Sequence, residues 1–154
     1  MITKKISELL QKREFVSAAT CDFNGRPNVA PKFFLKLQQR DLYLIDYVLG
    51  TTYRNIKINP RVSVSIMDTD SLTGYQMNGS VEIIESGAEY KEIVKELLQR
   101  EIDLSTKRII EGVVQGKAHE SFEVAIPEKF VVLKIKIEEL VEICRSGTLK
   151  RQII

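Results

Sequence analysis

Between Gly50 and Lys57 the chain carries two adjacent hydroxyls, Thr51 and Thr52, then Arg54 and Lys57, and no acidic residue. Gly50 lets the chain turn after a short apolar run, and Thr51 or Thr52 can cap a short helix. That helix has to end by Asn59, because a residue followed by proline is driven out of the helical region. Acidic side chains are the usual company of a helix start, where unpaired N–H groups and the macrodipole are positive. Hydroxyls and cations in their place make a seat for a phosphate. The plainer alternative is a basic, solvated surface helix.

No other stretch forms a reactive constellation. G-x-S-x-G, H-E-x-x-H, a P-loop and a G-x-G-x-x-G after a strand are all missing from the sequence. His119, the one histidine, is a candidate general base, with a solvated loop histidine as the plainer reading. Asp68 and Asp70 lack the further ligands a cation needs and read as a solvated turn. Cys21 and Cys144 stand far apart without companions at metal-ligand spacing, so no metal is expected. Free buried thiols are the expectation for both, a disulfide the alternative. Tyr43, Tyr47, Tyr53 and Phe34 either flank a planar ligand or fill a core. Any chemistry therefore has to come from a cofactor.

The elements that would position such a site alternate in period two more often than in period 3.6. Ile2, Ile6, Leu9 and Leu10 mark a first surface helix capped by Thr3. Phe15–Asp22 reads as a strand, Asn24-Gly25 as a hairpin turn, and Asn28–Leu37 as the return strand. Pro27 and Pro31 in that strand predict an edge with one side unpaired. Its alternation puts Phe33, Leu35 and Leu37 on one face and Lys32, Phe34 and Lys36 on the other. Further strands are predicted over Leu42–Asp46, Arg61–Met67, Tyr75–Ile84, Phe130–Glu138 and Leu140–Cys144. In Arg61–Met67, Val62, Val64 and Ile66 face a core, and Ser63, Ser65 and Met67 face outward. Ser86 and Glu89 form a capping box opening one helix, and Ser105 opens another. Residues 146–154 read as a flexible tail. Strands that are not interleaved with helices argue against a doubly wound sheet. The expected fold is mainly β (α+β), a six- to seven-stranded antiparallel barrel with peripheral helices, in one domain over 1–154.

Composition bounds the remaining possibilities. With 154 residues, 44% hydrophobic and 29% charged, the chain suits one globular domain with a proper core. A net charge of +2 and no long basic run argue against a nucleic-acid partner. The amphipathic N-terminus and the lack of long apolar runs point to no signal peptide, no membrane span and a cytoplasmic protein.

Four segments in series carry a resemblance: Asn24–Pro31, Leu42–Asp46, Gly50–Ile56 continuing through Asn59–Val62, and Tyr75–Glu82. Together they resemble the pyridoxamine 5'-phosphate oxidase-related family of FMN-binding split barrels, over roughly the first half of the chain. The resemblance implies a homodimer with FMN in clefts between subunits. It implies that Ala30, Pro31, Lys32, Phe33 and Phe34 run along the isoalloxazine ring, with Ile45 and Asp46 beside them. It assigns the phosphate to Thr51, Thr52 and Asn55. In the oxidase proper an arginine and a lysine occupy the Thr51-Thr52 position, and an arginine stands at Ala30. The oxidase's C-terminal tryptophan has no counterpart, since this chain contains no tryptophan. The expectation is thus an FMN flavoprotein, an oxidoreductase of unnamed substrate or electron donor, and not a true pyridoxamine 5'-phosphate oxidase. Lys32 is expected beside the ring, tuning its potential. The alternatives are a non-catalytic carrier or sensor of FMN or another phosphorylated ligand, and a related barrel binding haem or a deazaflavin.

Overall fold

The computed structural model describes residues 2–116 and 129–154. Its elements run α1 (Lys4–Gln11), β1 (Phe15–Cys21), β2 (Pro27–Gln38), β3 (Asp41–Asp46), α2 (Thr51–Ile58), β4 (Arg61–Asp68), β5 (Thr73–Ile84), α3 (Gly87–Val114), β6 (Val131–Ile143) and β7 (Leu149–Ile153). The strand order is β3-β2-β1-β4-β5-β6, all pairings are antiparallel, and β3 closes on β6. This is a six-stranded antiparallel split barrel, with β7 as an extra strand on β6. The chain falls into two compact units: residues up to Glu85 with Phe130–Ile154, which hold the barrel, and the segment from Ser86 that holds α3.

The barrel core follows from alternation. Val16 and Ala18 of β1, Leu42 and Leu44 of β3, Val62, Val64 and Ile66 of β4, Tyr75 and Met77 of β5, and Leu133, Ile135 and Ile137 of β6 form one apolar cluster. Ile6 and Leu10 of α1 and Ile56 of α2 join it. Thr3 caps α1 as expected, accepting from the Ile6 amide. The β1–β2 link is likewise as expected: Gly25 takes a φ of 77°, and Asp22 Oδ1 accepts from the amides of Asn24 and Arg26.

Five local expectations are corrected. The register of β2 shifts between Phe34 and Lys36 where it pairs with β3, so Leu35 is the extra residue of a bulge. Simple alternation therefore fails there, and Phe34 joins the core cluster with Leu37 packed on it. β6 is one strand, not two, because a second bulge at Glu138, opposite Asn78 and Gly79, absorbs the break in pattern. A Cβ on Gly79 would lie 2.0 Å from the Lys136 carbonyl oxygen, so the bulge closes only over glycine. Residues 149–153 form β7, and Arg151 meets Glu139 of β6 at 2.7 Å. α3 runs unbroken through Ser105. Thr106, which with Ser105 mimics a helix start, instead returns its hydroxyl to the Ile102 carbonyl at 2.9 Å. Ser86 does precede α3, but its side chain makes no capping bond and Gly87 takes a φ of 94°.

Candidate functional site

The first half of β2 has an unfilled side. Pro27–Lys32 pair with β1, whereas β3 joins β2 only from Phe33 onward. The Phe34 amide donates to the Glu14 carbonyl at 2.8 Å on the β1 side. Strand alternation then turns the backbone groups of Val29 and Pro31 away from β1, to a side where no described strand takes them up. Proline at position 31 suits that edge, since the N–H it lacks has no ladder partner there.

β3 ends at Asp46, and the chain turns through Tyr47–Gly50 into α2. Gly50 is the N-cap and no side chain caps the helix, so both threonines lie inside the first turn rather than at the cap. Their environments differ. Thr51 is exposed and accepts from Arg54 Nη2 at 3.0 Å. Thr52 is 2% exposed and accepts from Asn28 Nδ2 of β2 at 3.1 Å. Asn55, also buried, donates from Nδ2 to Thr20 Oγ1 of β1 at 3.1 Å. Lys57 does not serve the helix start: it sits in the last turn, 3.6 Å from Glu85 and over the Tyr53 ring. A hydrogen bond to Tyr53 and the charge of Glu85 hold its ammonium above the ordinary lysine range. Helix dipole and acid both favour a cation there. At the start of α2 the accessible groups whose chemistry would suit an anion are Thr51, Arg54 and the N–H groups of the first turn.

A buried ion pair lies between the two halves of the site. Lys32 Nζ is 2.8 Å from Asp46 Oδ1, with side chains 5% and 0% exposed. The same Oδ1 accepts from the Val48 amide at 3.2 Å, which fixes the turn into α2. Oδ2 is buried and has no partner among the described residues. Phe33 meets Tyr47 edge-on at 6.2 Å and Phe15 at 5.8 Å, and Tyr47 lies 6.0 Å from Phe130. Ile45 is buried and pairs with Phe33.

The structure therefore brings Lys32 to Asp46 and α2 to β2, and leaves Ala30 half-exposed and Pro31 exposed along the free edge. It withdraws Phe34 into the core, and holds Tyr43 between Lys36 and Lys134 at 4.8 and 5.7 Å. Tyr53 is engaged by Glu85 and Lys57. Of the four aromatic candidates, Tyr47 alone belongs to the turn between β3 and α2. His119 lies outside the described residues. Sequence reasoning does not single out Thr20 and Asn28, although they stand directly opposite one another in the β1–β2 register. Polar residues on the buried face of two strands are the available signal. Among the described residues no group of three His, Cys, Asp or Glu side chains could hold a metal, and both cysteines are free. No helix among them is long and apolar enough to cross a membrane.

The strand order and the closure of β3 on β6 define a split-barrel protein. A family model for pyridoxamine 5'-phosphate oxidase matches residues 2–144, and the chain belongs to that family. In sequence it is 33% identical over 67 residues to the protein named heme oxygenase HutZ of Vibrio cholerae, a match covering 44% of this chain and 38% of HutZ. In structure it is similar to HupZ of Group A Streptococcus, with a TM-score of 0.67 and 24% identity over 94% of this chain and 96% of that one. It is also similar to a pyridoxamine 5'-phosphate oxidase-related, FMN-binding protein of Nostoc punctiforme, with a TM-score of 0.59 and 15% identity over 100% and 98% of the two chains.

Proposed function

We propose that this chain binds FMN and serves as an oxidoreductase. The observation that carries the reading is the bond from Asn28 to Thr52, which sets the anion-binding start of α2 beside the unfilled edge of β2. A phosphate at the first requires Thr51 and Arg54. A planar ring with donors and acceptors on its rim suits the backbone of Val29 and Pro31. The orphaned, buried Asp46 Oδ2 adds an unspent acceptor at the same end of the barrel. When bound, FMN supplies the electron or hydride chemistry; the chain's own residues hold the phosphate, orient the ring and keep Lys32 fixed by Asp46. The oxidase proper is not proposed, for want of its tryptophan.

The reading includes a homodimer. Phe15, Val29 and Met67 are exposed apolar side chains on β1, β2 and β4. With Ser17, Pro31 and Ser65, Phe15 and Met67 line a shallow cleft of about 400 Å³. A second copy over this face would complete the cleft and shield a ring from water, at a burial on the order of 2,000 Å².

A second reading, a haem-binding barrel, rests on the similarity to HutZ. FMN is favoured because Thr51, Arg54 and the open edge of β2 offer groups suited to a phosphate and a ring rim. Haem would call for an axial ligand, for which His119, the one histidine of the chain, is a candidate. The absorption spectrum after incubation with each cofactor and desalting decides between them. Retained flavin bands support the proposal; a Soret band with no flavin uptake overturns it.

A further inference from the structure

The start of α1 meets β5, β6 and β7 around a cleft of about 320 Å³, a size at the lower end of the range for small-molecule sites. It is remote from α2. That helix leads into β4 at Arg61, whereas the cleft lies by Tyr75, which pairs with Ile66 near the far end of the same strand. The floor of the cleft is apolar: Ile6 and Leu140 are buried, and Tyr75 is 3% exposed. Its charged groups differ in what holds them. Lys5 is 3.7 Å from Asp68, and a hydrogen bond to Tyr75 keeps its ammonium above the ordinary lysine range. Arg151 is held by Glu139 at 2.7 Å. Half-buried Glu142 and exposed Lys150 line the same cleft and make no hydrogen bond or ion pair among the described residues, although the Glu142 charge reaches Lys5.

Glu142 and Lys150 stand directly opposite one another in the β6–β7 register, and Tyr75 faces Glu142 from β5. Facing residues of an antiparallel pair carry their Cβ atoms about 4.5–5.5 Å apart. An anionic and a cationic head therefore rise side by side next to one apolar floor. The carboxylate only accepts hydrogen bonds and the ammonium only donates them. A simple anion in the cleft would face Glu142, and a simple cation would face Lys150 and Lys5. A ligand that satisfies both heads has to bring an ammonium and a carboxylate of its own, close together. A free α-amino acid holds the two on one carbon, and an apolar side chain on that carbon matches Ile6, Tyr75 and Leu140. We propose that the cleft binds a free apolar α-amino acid, with its ammonium on Glu142, its carboxylate on Lys150 and its side chain on Tyr75 and Leu140. The site shares no residue with the start of α2 or the open edge of β2.

The test is an amide NMR titration of the full chain with three probes of one shape. L-Phenylalanine carries both charges, hydrocinnamate lacks the ammonium, and phenethylamine lacks the carboxylate. L-Phenylalanine is expected to shift the resonances of Lys5, Ile6, Tyr75, Glu142 and Lys150. Each of the other two forfeits one charged contact and should bind roughly ten- to a hundredfold more weakly. Glu142→Gln should weaken L-phenylalanine and leave hydrocinnamate no weaker. Lys150→Gln should weaken L-phenylalanine and leave phenethylamine no weaker. A misfolded variant would lose all three probes alike, so the crossed pattern separates recognition from damage. No shift at millimolar L-phenylalanine, shifts gathered at other residues, equal binding of the three probes, or a variant that changes all three alike or none overturns the proposal. None of these results depends on whether FMN binds at α2.

Discussion

Asn28 on β2 donates its side-chain amide to the Thr52 hydroxyl of α2 at 3.1 Å, and Thr52 is almost wholly buried. The bond ties the helix start to the half-open strand. It also gives the two adjacent threonines different roles. Thr52 holds the helix in place, and Thr51 stays available to a ligand.

Arg54→Gln and Thr51→Val are therefore the substitutions expected to weaken FMN directly. Hydrogen bonds to charged groups contribute about 1.5–3 kcal/mol, so each should raise the FMN dissociation constant roughly ten- to a hundredfold. Riboflavin lacks the phosphate and should respond little. Fluorescence titration with both ligands checks this, and equal losses for the two would place the phosphate elsewhere.

Thr52→Val should act on the fold as well. It removes the acceptor of Asn28, whose half-buried amide can turn to water, so the cost is that of one hydrogen bond, about 0.5–1.5 kcal/mol. Urea unfolding should show a lower midpoint at unchanged slope.

Lys32→Met strands the Asp46 carboxylate in the barrel interior. Breaking one side of a buried ion pair costs about 3–5 kcal/mol, whereas replacing both partners by apolar residues of similar volume is far milder. Thermal unfolding should rank Lys32→Met below Lys32→Met/Asp46→Leu. The opposite order would mean that the pair is not buried as described.

Acid should loosen β7 first. Glu139 is held below the ordinary glutamate range by its bonds to Asn78 and Arg151, and Glu138 by its bonds to Ser80 and Arg61. The unfolded chain binds these protons at a higher pH than the folded one. Their stabilisation is thus complete above the ordinary glutamate value and lost as pH falls through the lowered one. Amide exchange in residues 149–153 should quicken across that window, and Glu139→Gln should remove most of the pH dependence.

The barrel is legible in the sequence because its strands alternate cleanly. Val62, Val64 and Ile66 face inward as their period requires, and Asn59 before Pro60 leaves the helix as sterics demand. Period fails at Leu35 and Glu138, where an inserted residue preserves pairing while breaking alternation, and no single-strand pattern reveals that. β7 escapes a sequence reading because an edge strand with every residue exposed has no hydrophobic pattern. For the site, the phosphate seat proposed at Thr51 and Arg54 is suggested by local charge alone. Lys57 does not belong with them, because a residue six positions on lies at the opposite end of an eight-residue helix. The pairings Asn28–Thr52 and Lys32–Asp46 join separate elements and need the folded chain to appear.

β6 bridges β3 and β5, yet it is the sixth strand in sequence and follows α3. On the ribosome, β1 to β5 therefore emerge as an open, curved sheet whose two borders, β3 and β5, have exposed ladder groups and no mate. They must wait for all of α3 to be synthesised before closure. Distant pairings of this kind form slowly, and unpaired borders invite other chains. The seam between β3 and β6 thus makes the nascent chain most vulnerable to misassembly late in translation, just before its cylinder is sealed.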